Sequence, residues 1–169
     1  MAWKARLAVL AAALWWGSLS AIGFLAVPLL FANAASPVVA GNLAGHLFSG
    51  QVWLSLACGL VLLTTARDEE GSASLGWAGG AVAYVLLGLL MALLQEFAVA
   101  PRILARQDLA FWHGFGTALY AAQWLCAAVL LWKVMGPPVR HPRAGGDSES
   151  ARSAPSGARD SRLRGNDGP

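Results

Sequence analysis

The chain of 169 residues is 57% hydrophobic and only 12% charged, and it contains eight tryptophans. Soluble globular domains are about 45–50% apolar and about 25% charged, so this composition excludes an ordinary soluble enzyme and indicates an integral membrane protein. The net charge of +3 does not indicate a nucleic-acid partner, because half of the basic residues lie from Arg140 onward, beyond the apolar region.

Four apolar runs are long enough to cross a bilayer, at about residues 7–32, 43–65, 75–99 and 109–134. No charged residue occurs between Arg6 and Arg67, and a single helix of that length would exceed the roughly 30 Å hydrocarbon core about threefold. The chain therefore turns, and the turn signals are Asn33–Pro37 and Gly41–Asn42. Because lipid cannot satisfy backbone amides, we predict an all-α, integral membrane four-helix bundle over residues 1–136.

The distribution of basic residues predicts the orientation of the spans. The two termini and the loop after the second span hold six of them near the membrane, whereas the other two loops hold only Arg102 and Arg106. The positive-inside rule then places both termini in the cytoplasm. The alternative for the first run is a cleaved signal peptide, but such peptides have only about 7–15 apolar residues in their core.

The segment 137–169 has a different composition, rich in Gly, Ser, Pro and Arg. It contains too few apolar residues to bury a core, so we predict a disordered tail. The tail resembles the peptide that results when an intergenic palindromic repeat of bacterial genomes is translated. Binding of a basic tail to anionic lipid is the alternative.

Short motifs recur in the two halves of the chain. They pair Phe24–Pro28 with Phe97–Pro101, and His46–Phe48 with His113–Phe115. This repeat predicts two tandem helical hairpins of the same orientation, related by an axis along the membrane normal. Close helix packing is expected where small residues recur at four-residue spacing, at Gly41 and Gly45, Gly76 and Gly80, and Gly114 and Ala118.

The same segments carry a family resemblance. The chain resembles the bacterial members of the transmembrane-protein-205-like family in WWGSLSAIGFLAVPLLF, AGNLAGHLFSGQ, LLQEFAVAPRILAR and FWHGFGTALYAAQWLCAAVLLW. It is more remotely similar to copper-resistance D-type and haem-biosynthesis membrane proteins, some of which use histidines in helices. The resemblance implies a four-helix membrane domain without an established activity. Recurrent family positions correspond to Gly17, Pro28, Gly41, Gly45, Phe48, Pro101, Arg102, His113 and Gly114, whereas His46 departs from the pattern.

Most polar residues near the membrane are predicted to lie toward its outer face: Asn33, Asn42, His46, Gln51, Gln95, Glu96, Arg102, Arg106, Asp108 and His113. An ionisable group inside a span is costly and is a functional candidate by default. We expect a polar cluster of Glu96, Arg102, Gln95 and Asn42. Within it, an interfacial ion pair between Glu96 and Arg102 that fixes the helix depth is the favoured interpretation.

Two histidines suggest an alternative role in haem or metal binding. His46 and His113 are expected about one turn inside the outer ends of their spans, and neutral imidazole binds haem iron or copper. They are therefore candidate cofactor ligands, with Glu96 completing a site, although a hydrogen bond between His113 and a neighbouring helix is the simpler role. The sequence contains no phosphate-binding loop, dinucleotide glycine motif or zinc-protease motif. We therefore expect that the protein is not an enzyme and binds no cofactor.

Two functions thus remain open from the sequence. The first is a non-catalytic membrane protein in small-solute transport or stress tolerance. Four short helices enclose little interior, so a homo-oligomer within the lipid bilayer is the expected arrangement. The alternative is a haem- or metal-binding redox protein that uses the outer histidines.

Overall fold

A computed structural model describes residues 2–67 and 75–136, and it contains no strand in these ranges. The described chain forms an all-α bundle whose four helical rods are each long and apolar enough to cross a membrane. These four spans are Trp3–Asn33, Pro37–Ala66, Gly80–Leu104 and Leu109–Met135. The four-helix membrane fold predicted from the sequence is therefore confirmed, whereas the predicted tail of 137–169 lies outside the described residues.

The first and third spans are each built from three helical pieces, because a π-helical turn interrupts the α-helix. The pieces of the first span are α1 (Ala2–Ala21), π1 (Ile22–Ala26) and α2 (Val27–Asn33). Those of the third are α4 (Leu75–Leu94), π2 (Gln95–Val99) and α5 (Ala100–Leu104). The second and fourth spans are continuous, as α3 (Pro37–Arg67) and α6 (Leu109–Met135).

The connection between the first two spans is shorter than the sequence suggested. It comprises residues 34–36, and α3 begins at Pro37, so Gly41–Asn42 lies within the helix and not in a turn. Proline suits the first helical turn because its missing N–H would have no intrahelical partner there. The Ser36 hydroxyl oxygen accepts a hydrogen bond from the Val39 N–H at 3.3 Å and so caps the helix.

The third span extends beyond the expected end at Val99, because its helix continues through Pro101 to Leu104. A proline inside a helix removes one hydrogen bond and clashes with the carbonyl four residues earlier, which is Phe24 for Pro28 and Phe97 for Pro101. In both spans a five-residue π turn ends two residues before the proline. Each copy of the Phe-x-x-x-Pro motif therefore coincides with the same local deformation of its helix.

The spans are arranged in a cycle, each packed mainly against the two that neighbour it in that cycle. The first and third spans both contact the second and the fourth. The core holds fully buried side chains such as Trp15, Leu19 and Leu130. We call the end of the bundle with the connections 34–36 and 105–108 the proline end.

Glycine does allow close helix contacts, but at other positions than expected. An added Cβ at Gly88 would lie 2.9 Å from the Trp15 ring, and one at Gly59 would lie 2.8 Å from Leu89. By contrast, nothing lies within 4 Å of such a Cβ at Gly41, Gly45 or Gly114. Within the described bundle, the prediction of close packing at these three glycines is wrong, because they lie on exposed helix faces. The surroundings of Gly76 lie outside the described residues.

Candidate functional site

Buried polar side chains join three of the four spans near the middle of the bundle. Gln51 and Gln123 are each 3% exposed, and Ser55 is 0% exposed. Gln51 Nε2 donates to Ser18 Oγ at 2.9 Å and to Ser55 Oγ at 3.3 Å, and Gln123 Nε2 donates to Ser55 Oγ at 3.0 Å. These four residues form the amide–hydroxyl network. At about 1.5 Å per residue, Gln123 lies about 21 Å from the start of α6.

Four buried polar atoms of the bundle have no protein partner among the described residues. They are the Gln51 and Gln95 Oε1 acceptors and the indole N–H donors of Trp15 and Trp16. A buried polar group without a partner costs about 1–3 kcal/mol.

Glu96 is the only acidic residue within the four described spans, and it is half-buried. It lies in π2, and its carboxylate faces α3, where Ser49 Oγ is 2.9 Å from Oε2 and 3.0 Å from Oε1. A serine hydroxyl has one proton to donate, so it satisfies only one of the carboxylate lone pairs at a time. The remaining acceptor capacity can bind a proton or a cation.

Gln95 precedes Glu96 in the same π turn but faces a different helix. Its Nε2 would lie 3.3 Å from a Cβ added at Gly116 of α6, so the missing side chain makes room for the amide. The π turn thus presents two consecutive polar side chains to two different neighbouring spans. Such π turns occur frequently at functional sites.

Arg102 and Glu96 do not form the expected ion pair, since each has its own partner. Arg102 Nη1 donates to the Ala98 carbonyl at 2.6 Å, and the guanidinium carbon lies 4.5 Å from the centroid of the Trp112 ring. The two residues are six positions apart, whereas side chains meet along a helix at three or four positions. The spacing therefore places the two charges on different faces.

The remaining predicted residues lie on the surface of the bundle. His46, His113 and Asn42 are exposed, and His46 Nδ1 donates to the Asn42 backbone carbonyl at 2.8 Å within its own helix. The backbone carbonyl of His113 accepts a hydrogen bond from Thr117 Oγ1 at 2.8 Å. The described residues contain no group of three His, Cys, Asp or Glu side chains placed to hold a metal ion. Haem or copper binding at the histidines stays a prediction.

The structure adds functional candidates that sequence reasoning missed. Gln51 was expected near the outer face but lies in the buried network, and Ser18, Ser55 and Gln123 were not identified. Ser49 was also missed, although it is the hydrogen-bond partner of Glu96. The available signal was the presence of amide side chains in otherwise apolar spans, where they usually hydrogen-bond across helices.

Comparison with known families places the chain in one of them. The family model described as Domain of unknown function (DUF4149) matches residues 10–112, which is more than half of the chain and includes Ser49 and Glu96. No curated protein and no solved structure matches the chain. From the extent of the family match, the chain belongs to the DUF4149 family of membrane proteins.

Proposed function

We propose that the protein transports a small solute across the membrane and that Glu96 carries a proton during this transport. The observation that carries the proposal is the position of the Glu96 carboxylate, inside a span, within a π turn and hydrogen-bonded to Ser49 of the next span. Ionisable residues within membrane spans commonly belong to ion pathways and proton relays.

The paired interruptions of the spans support a transport role. Transporters built from repeats often have broken helices at corresponding positions of the two halves, with the binding site between them. Here π1 with Pro28 and π2 with Pro101 occupy corresponding positions of the first and third spans. Glu96 belongs to the second of these interruptions, and its counterpart in the first is Gly23.

Polar groups extend from Glu96 toward the middle of the membrane. Glu96 is about 12 Å from the end of the third span at about 1.5 Å per residue, whereas the amide–hydroxyl network is about 21 Å from the proline end. Amides and hydroxyls both donate and accept hydrogen bonds, which suits a small polar solute or water. The unpaired Gln51 and Gln95 acceptors lie in this region.

The assembly and location belong to the same proposal. The proposed assembly is a homo-oligomer in the lipid bilayer. The proposed location is a bacterial inner membrane with both termini cytoplasmic.

Proton flux through reconstituted protein tests the proposal. Liposomes containing a pH-sensitive dye are given a proton gradient, with potassium and valinomycin holding the membrane potential constant. Wild-type protein is expected to dissipate the gradient faster than protein-free liposomes. Glu96→Gln keeps the size and the Ser49 contact but has no acid, so its flux should fall to the protein-free rate.

Asp108→Asn is the matched control. It removes a carboxylate at the same end of the bundle, but from an exposed position between spans. Asp108 has φ 34°, and asparagine tolerates this left-handed region as well as aspartate does. Its flux should equal the wild-type flux. Wild-type protein without flux, or Glu96→Gln with wild-type flux, would contradict the role of Glu96.

A further inference from the structure

A charged and aromatic patch covers one side of the proline end, where the third and fourth spans meet. It consists of Arg102 on α5 together with Phe111, Trp112 and Phe115 on α6. We infer that this Arg102–Trp112 patch binds the phosphodiester headgroup and upper acyl chain of an anionic phospholipid. The inference does not depend on the transport function.

Two contacts with the protein orient the guanidinium of Arg102. Its carbon Cζ lies over the Trp112 ring, 4.5 Å from the centroid, and Nη1 donates to the Ala98 carbonyl. A guanidinium has five N–H donors in one plane, and stacking on an aromatic ring leaves the edge of that plane accessible. Arg102 is exposed, so this edge can donate two parallel hydrogen bonds to phosphate oxygens.

Two phenylalanine rings adjoin the Trp112 ring over which the guanidinium lies. Phe111 and Phe115 lie 6.1 Å apart in a stacked arrangement, and each also contacts Trp112 edge-on. Phe111 is 57% and Phe115 40% exposed, so both present apolar surface to the outside of the bundle. A phospholipid combines a phosphate with an acyl chain in the same way, whereas a soluble phosphate ester has no group for the aromatic surface.

The depth and charge of the patch also fit a phospholipid of net negative charge. Arg102 lies in the last turn of the third span and Trp112 in the first turn of the fourth, at helix ends where headgroups and aromatic belts are found. Arg106 adds a second exposed cation in the connecting loop. A zwitterionic lipid carries its own cation, which these arginines would repel.

Native mass spectrometry of the full chain in detergent tests the inference, using phosphatidylglycerol and phosphatidylcholine with identical acyl chains. Wild-type protein is expected to bind phosphatidylglycerol about tenfold more tightly, from charge-assisted hydrogen bonds. Arg102→Lys keeps the charge but loses the planar donors and should lose about tenfold in affinity. Trp112→Leu removes the stacking ring and should weaken binding in the same direction.

Arg106→Lys is the control for charge alone. It keeps the cation in an exposed loop, so affinity should stay within about twofold of wild type. Equal affinity of wild type for both lipids, or wild-type affinity in Arg102→Lys, would overturn the inference. An excess of glycerol 3-phosphate should leave the lipid bound, and its displacement of the lipid would instead assign the patch to a soluble phosphate ester.

Discussion

Gly88→Ala provides the sharpest test of how the spans pack. A Cβ at this position would lie 2.9 Å from Cη2 and 3.1 Å from Cζ2 of Trp15. Real Cβ contacts are longer, so either the ring or the helix has to move. Trp15 is 0% exposed and belongs to the core cluster, which leaves its ring little space to shift.

The expected magnitude follows from a comparison with Gly45→Ala. Replacing glycine by alanine inside a helix favours folding by about 0.5–1 kcal/mol, and this gain is common to both variants. Only Gly88→Ala also introduces overpacking, which costs about 1–3 kcal/mol. We therefore expect Gly45→Ala to be slightly more stable than wild type. Gly88→Ala should be about 1–3 kcal/mol less stable than Gly45→Ala.

Unfolding by sodium dodecyl sulfate in mixed micelles, followed by tryptophan fluorescence, measures the difference. The midpoint for Gly88→Ala should shift to lower detergent fraction, and that for Gly45→Ala should not. Equal midpoints for the two variants would refute the assignment of close packing to Gly88. A larger loss for Gly45→Ala would show that the Gly41–Gly45 pair predicted from the sequence is the real contact.

The buried network and the orientation give two further predictions. Ser55→Ala removes the shared acceptor of Gln51 and Gln123 and should cost about 1–3 kcal/mol in the same titration. The exposed hydroxyl variant Thr64→Ala should change stability by less than about 0.5 kcal/mol, and equal losses would contradict the network's contribution. Reporter fusions after Met135 should be cytoplasmic and fusions within 105–107 periplasmic, whereas a periplasmic signal after Met135 would contradict the predicted topology.

The candidate site was only partly predictable, because its members come from different spans. Glu96 could be identified from the sequence as an acidic residue in an apolar run, and its position in a π turn further supports a functional role. Its partner Ser49 did not stand out, since serine is common in membrane helices. The expected Arg102 pair failed because six positions along a helix leave two side chains about a third of a turn apart around its axis, whereas Trp112 in the next span lies directly beside the guanidinium.

The four membrane spans could be predicted from composition and hydropathy alone, because a long uncharged apolar segment has no other stable arrangement in lipid. The sequence also showed the repeated Phe-x-x-x-Pro motif, since such motifs are local. Which glycines allow close contacts and which amides are buried could not be predicted without the packing of the spans. A helix rotates by about 100° per residue, so the face that meets a neighbour depends on the rotation of each span. That rotation is fixed by contacts such as Trp15 against Gly88, between residues far apart in the chain.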